Sequence, residues 1–406
     1  MAPDAIPRMN VLSRTIVDTN STRSSDRVYS AIDDQQAIPE LNSLALRSLV
    51  ALFDEKKQLF HRSVTLTDQG LLRHGASRRR SIFALMGLQR LQDAGESQPL
   101  NLGPIRDGIL DDQRWIESAG DLGLLIWFAA VCAPDRLGRL FKEQDLGGAL
   151  ARYSGSRPAT TTSIAWFLAG VAHARLRDTR DLPDLTDVAV EAYHLLEENQ
   201  SEDGLFGHAI SSGLLRRAFD TRYGTFSDQA YSIYALSIFA QAFQIEEPLG
   251  PALDCANAIC DLQGDMGQWW FRYDKQSCRV VNRYPVVSMH QYGTAPASLL
   301  ALGETTRQNF DKAIYRGLSW IAGANELGND LRNLDGAAIW DSIRLEGSIP
   351  QWKEMICSLL NIPAGPRSDH LRVQYETRPD HLGWLLYAFG KFGLPRAAVP
   401  SHAAKA

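Results

Sequence analysis

Six segments of the chain are apolar on nearly every face: Ser77–Leu91, Asp121–Cys132, Thr160–Ala174, Asp228–Phe243, His290–Gly303 and Asp380–Phe392. Typical runs are LGLLIWFAAVC and AYSIYALSIFAQAF. A helix without a polar stripe is buried on most sides, and the Ala and Gly in these runs let neighbouring helices approach closely. Between them lie amphipathic stretches at 39–53, 105–117, 136–151, 184–199, 249–262 and 309–323. In Asp187–Asn199, Val188, Ala192, Leu195 and Leu196 share one stripe. Buried helices alternating with half-exposed ones predict an all-α fold, an α/α toroid of about six to seven helix pairs. Asp335–Arg344 and Pro350–Leu360 are expected to add a pair.

The spacing has a period. Gln200 and Gln263 stand 63 residues apart, as do Gly204 and Gly267, and Asn199 and Asn325 stand 126 apart. Six or so pairs suit a closed ring better than an open stack, which needs polar caps. Two connections are long, Leu205–Thr225 and Trp269–Val287. The second carries two β-rich runs around Asp274-Lys275-Gln276-Ser277, which predicts a β-hairpin over the cavity mouth. Residues 1–35 and 395–406 read as polar, flexible tails around a single domain at 36–394.

Composition adds little that is specific. Of 406 residues, 45% are hydrophobic and 22% charged, enough for a large core. A net charge of -5 gives no electrostatic reason to expect nucleic acid. The basic run Arg78-Arg79-Arg80 reads as a solvated helix start. The five cysteines are scattered without a CxxC pair, so neither a disulfide framework nor a zinc site is expected, and reduced thiols fit a cytoplasmic protein. No apolar stretch reaches the roughly 20 residues that span a bilayer. No metal or other cofactor is expected.

Two segments share a signature. Gln263–Trp269 fits QxxxGxW, and Gln200–Phe206 fits it with Phe for Trp; Asn325–Gly328 resembles a decayed copy. This resembles the QW repeat of squalene–hopene cyclases and related terpenoid cyclases, whose toroid protein prenyltransferases share. The resemblance implies acid/base isomerase or lyase chemistry on an isoprenoid substrate. It departs from that family at the DxDD acid motif. In Thr225-Phe226-Ser227-Asp228 only the last Asp survives, and Ser227 stands at the proton-donor position.

In an alternating toroid the inner helices run in parallel, so their N-termini gather at one end. Free N–H groups and helix dipoles there favour an anionic group. The residues delivered to that end are Asp228, Gln229, His290, Gln291, Asp380 and His381. We read Asp228, His290, Tyr284, His381 and Asp380 as candidate catalytic groups. Gln229, Gln291, Trp269, Trp270, Arg272, Tyr231 and Tyr292 are read as candidate substrate contacts. Histidine carries protons near neutrality, and aromatic rings stack on sugars or stabilise cations. Two other readings stand beside the terpenoid one. The first is a carbohydrate-active enzyme (polysaccharide lyase, hydrolase or epimerase) with an oligosaccharide substrate. The second is a non-catalytic binding scaffold. The sequence leaves the oligomeric state open.

Overall fold

A computed structural model of the chain describes residues 37–155, 159–177, 182–210, 220–346 and 370–395. Both tails and Pro350–Leu360 fall outside these residues, apart from Pro395. In chain order the helices are α1 (Ala37–Leu52), α2 (Arg78–Asp93), α3 (Leu102–Asp111), α4 (Ala119–Cys132), α5 (Leu137–Glu143), α6 (Leu146–Gly155) and α7 (Thr161–Arg175). They continue with α8 (Thr186–Glu197), α9 (Phe226–Phe243), α10 (Leu249–Asp261), α11 (Ala295–Thr306), α12 (Asp311–Ile321) and α13 (Pro379–Phe389). One turn of π-helix, His290–Thr294, runs into α11.

The six apolar segments become α2, α4, α7, α9, α11 and α13. Each packs on the next, and α13 packs on α2, so the ring closes. The absence of a polar stripe explains their place: every residue of α4 is buried. Inner helices pack closely enough that a Cβ on Gly123 would lie 2.2 Å from the Cα of Phe167. Around the ring, α1, α3, the pair α5 and α6, α8, α10 and α12 form the outer layer.

The repeat device is visible at two outer-to-inner connections. Gln200 Nε2 donates to the carbonyls of Gly204 (2.7 Å) and Pro251 (2.8 Å). Gln263 Nε2 does the same to Gly267 (3.0 Å) and Ala313 (2.9 Å). Each Gln thereby ties its own turn to the first turn of the next outer helix. Gly204 and Gly267 sit at φ of +87° and +92°, and a Cβ on Gly267 would lie 2.2 Å from the Arg316 carbonyl oxygen. Phe206 and Trp269, the aromatic ends of the motif, are wholly buried. The motif is therefore a structural clamp.

The expectation of an all-α fold is corrected: the protein is mostly helical with small sheets. Strands β1 (Phe53–Asp54), β2 (Leu59–Thr67) and β3 (Gly70–Ala76) lead into α2, and β4 (Tyr223–Thr225) leads into α9. β5 (Arg272–Asp274) and β6 (Arg279–Asn282) form the expected hairpin, with β4 added on the free edge of β5. β7 (Val286–Val287) precedes the π turn. β8 (Arg332–Asn333), β9 (Ala338–Ile339) and β10 (Ser342–Leu345) replace the helix expected at Asp335–Arg344. β10 pairs with β7 and with β11 (Leu371–Gln374), while β12 (Glu376–Thr377) pairs with β2 just before α13. Four inner helices, α2, α9, α11 and α13, are thus entered from strands, which places the small sheets at the end where the inner helices begin. Among the described residues no helix is long and apolar enough to cross a membrane.

Candidate active site

The inner-helix starts are held by side-chain caps. Ser77 and Ser118 accept from the backbone N–H groups of Arg80 and Asp121, and Thr160 accepts from that of Ser163. Thr225 and Asp228 form a reciprocal capping box on α9. The run Arg78–Arg80, read as solvated, is instead spent on three carboxylates. Arg78 pairs with Asp112, Arg79 with Asp121 at 2.6 Å, and Arg80 with Asp380 at 3.6 Å.

Asp228 is completely buried and saturated. It accepts five hydrogen bonds: from the N–H and hydroxyl of Thr225, the N–H and hydroxyl of Thr162, and Nδ1 of His208 at 3.0 Å. The structure therefore places it as an anchor between α7, α9 and the 208–210 segment, not as a free acid. Gln229 and Gln291 are also structural, and the two do equivalent jobs. The Gln229 amide clasps the N–H and carbonyl of Phe206, both at 2.8 Å. Gln291 Oε1 accepts from the Trp269 N–H at 3.4 Å. Each closes a QW-like turn, and neither is spare for a substrate.

Asp380 is different. It opens α13 after Pro379, and its side chain keeps 18% of its surface exposed. Its Oδ1 meets the Arg80 cation but accepts no hydrogen bond. Burial raises its pKa, against the opposing pull of Arg80 and Arg378. Around it stand Tyr231 and Tyr292, whose phenols are raised by burial and by the Asp380 charge. The Tyr292 hydroxyl has no hydrogen-bond partner. The Tyr231 ring meets Trp166 edge-on at 5.4 Å and Trp384 at 5.5 Å. Both indole N–H groups lie near the Tyr231 hydroxyl and lower its pKa somewhat, yet neither makes a full hydrogen bond. Orphaned buried donors and acceptors are uncommon, and their concentration at one spot marks a place built to meet something polar.

A second carboxyl adjoins. Asp341, just before β10, pairs with Arg378 at 3.1 Å and lies 3.5 Å from His381 Nδ1. Burial raises its pKa, and the Asp380 charge adds to this. His381 is pushed well below its ordinary value by burial and by the cations Arg378 and Arg80. His290 is pushed down to about 3 by burial; its Nε2 lies 3.3 Å from the Ser227 hydroxyl, and its Nδ1 has no partner. In both, burial favours the neutral imidazole. The structure brings Asp380, His381, His290, Tyr231 and Tyr292 together. It adds Asp341, Arg80, Arg378, Trp166 and Trp384, which the sequence reading did not select.

Tyr284 and Trp270 lie apart from this cluster. The Tyr284 hydroxyl donates to Glu326 Oε1 at 2.9 Å and its ring packs edge-on to Trp270, beyond the end of α12. Trp269 is buried against Phe226 at 5.3 Å. Arg272 lies on β5 near Asp220 and Asp228.

The ring axis below the mouth is filled. Trp127 Nε1 donates to the Tyr387 hydroxyl at 3.0 Å, which lies 2.7 Å from that of Tyr234, and Tyr234 meets His173 Nε2 at 2.8 Å. The Arg90 guanidinium caps the Tyr387 ring at 4.6 Å. These residues come from α2, α4, α7, α9 and α13, so they meet across the ring and close it to anything long. A separate cavity of about 360 Å³ lies at the opposite end, lined by Gln89, Gln92, Gln98, Asn101 and Arg106 among others. Among the described residues no three His, Cys, Asp or Glu side chains cluster as metal ligands would.

No protein-family model matches the chain, and no curated protein does. Solved structures do. A mutant unsaturated glucuronyl hydrolase from Streptococcus agalactiae, complexed with dGlcA-GalNAc6S, matches at 12% identity with a TM-score of 0.55, over 94% of this chain and 98% of its own. An unsaturated glucuronyl hydrolase specific for heparin matches at 13% identity and a TM-score of 0.53, over 91% and 97%. A possible GH105 member from Klebsiella pneumoniae matches at 10% identity and a TM-score of 0.53, over 94% and 99%. The fold is that of α/α-toroid glycoside hydrolases. The terpenoid-cyclase resemblance and the isoprenoid chemistry it implied are corrected by these matches. The physical reasons agree: the QW-like residues are clamps, Asp228 is a saturated anchor, and a polar aromatic plug fills the space where an apolar chamber would be.

Proposed function

We propose that the protein is a carbohydrate-active hydrolase whose reaction centre is Asp380 at the mouth of the toroid. The observation that carries this reading is the Asp380 carboxyl, raised in pKa by burial, with an Oδ1 that accepts no hydrogen bond and more exposure than the neighbouring Asp341. Such a group exchanges its proton nearer to neutrality than an ordinary aspartate does. The half-buried Trp166 offers an aromatic face beside it. The converging helix N-termini favour a substrate with a carboxylate. The names of the structures with the same fold support this substrate class, since they are glucuronyl hydrolases. Asp341 and His381 support the centre by fixing Arg378 and the first turn of α13.

The test is to incubate the purified protein with three sets of oligosaccharides, ending in an unsaturated uronic acid, a saturated uronic acid or a neutral sugar. New reducing ends are measured. Release from an acidic set is the expected result. Binding without release from any set would overturn the hydrolase reading in favour of a scaffold.

A further inference from the structure

His208 is absent from the sequence-level site, yet its geometry is that of a proton-transfer residue. It lies just after the Gln200–Phe206 turn, at the end of the toroid where α7 and α9 begin. Its backbone is fixed on both sides: its N–H donates to the Asp220 carbonyl at 2.8 Å, and its own carbonyl accepts from Thr161 N at 2.8 Å. Its Nδ1 lies 3.0 Å from Asp228 Oδ2. Asp228 already takes its other bonds from donors only, so Nδ1 must carry a proton, and Nε2 is the exchanging nitrogen. Among the described residues Nε2 has no hydrogen-bond partner, and the side chain is 37% exposed. A buried acid that orients an exposed imidazole through Nδ1 is a recurring arrangement for histidine proton transfer. A mere cap on α9 would need no histidine, because Thr225 already fills that role.

We propose that His208 is the second proton-transfer group of this mouth, and that Asp228 is its positioning residue. This rests on the hydrolase reading. Tyr231, whose phenol is raised by the Asp380 charge, lies about one turn along α9 from Asp228. In the reaction a water oxygen forms a bond to the anomeric carbon as the glycosidic C–O bond breaks. The Asp380 carboxylate takes the water proton, and the His208 imidazolium gives its Nε2 proton to the leaving oxygen. Solvent then restores both groups. The groups facing His208 are Asp228 and Asp220, which favour its charge, and Arg272, which opposes it.

The test uses His208→Asn, whose amide keeps a donor toward Asp228 but does not titrate, and His208→Gln as a second variant. The His208 resonances are followed by NMR against pH, and the pH profile of kcat/KM is measured on the best substrate. We expect an imidazole titrating above 6.5, a rate at least about 100-fold lower in both variants, and loss of the alkaline limb of the profile. An imidazole titrating at or below 6.5 overturns the proposal whatever the substrate. An active wild type matched in rate and profile by either folded variant overturns it while leaving the hydrolase reading intact. A wild type inactive on every glycoside overturns the hydrolase reading, and this role with it.

Discussion

Two aspartates open inner helices at the same end of the ring, and they have opposite fates. Asp228 on α9 has five donors on its two oxygens and no exposure. Asp380 on α13 has a cation nearby, an oxygen without a hydrogen bond and a window to solvent. An acid at a helix start is by default a cap. What separates a cap from a reagent is whether its lone pairs are spent. Around Asp228, the starts of α7 and α9 are spent on architecture up to the outward-facing nitrogen of His208. The side around α11 and α13 holds unpaired polar atoms from Asp380, Tyr292, His290 and Trp384.

This contrast can be broken by substitution. Asp228→Ala leaves five donors facing a void, and should cost about 3 to 5 kcal/mol of folding stability. A denaturation midpoint close to wild type would mean that Asp228 is not the anchor its geometry implies. Among the structural clamps, Gly267→Ala forces a Cβ onto the Arg316 carbonyl at positive φ, with an expected loss of about 2 to 4 kcal/mol. Gln263→Ala should lose about 1 to 2 kcal/mol, because two carbonyls lose their donor. Gln200→Ala should match it if the two QW-like turns are equivalent clamps.

The unsatisfied side should respond to acid instead. His290, with a folded value of about 3, and His381 are both held below 6.5. The unfolded chain therefore binds more protons than the folded one once the pH falls below 6.5. Stability should fall between about pH 6.5 and 3, by about 1.4 kcal/mol per unit for each fully depressed histidine. Unfolding curves of His290→Gln should show a shallower acid slope. An unchanged slope would place that dependence elsewhere.

The ring was legible in the sequence, while its site was legible only in part. Apolar runs with no polar stripe have one place to go, so the six inner helices read directly. The hairpin at Arg272–Asn282 read directly too, through its turn residues. Two-residue strands such as β7 and β12 carry no pattern to read, and β2 and β3 were passed over although Asp68-Gln69-Gly70 marks their turn. Asp380 and His381 could be placed because a helix start is a local feature. Asp341 and His208 could not, because their meaning lies in partners far along the chain, His381 and Asp228. Tyr284 is near His290 in sequence, but its hydroxyl turns to Glu326, a partner 42 residues along the chain.

The most direct measurement takes Asp380→Asn through equilibrium unfolding and turnover on one preparation. A buried carboxyl with an unspent oxygen gains little stability from its charge. The account therefore predicts a folding free energy within about 1 kcal/mol of wild type, or above it, with turnover reduced at least about 100-fold. An Asp380→Asn protein that turns over substrate at the wild-type rate would contradict it.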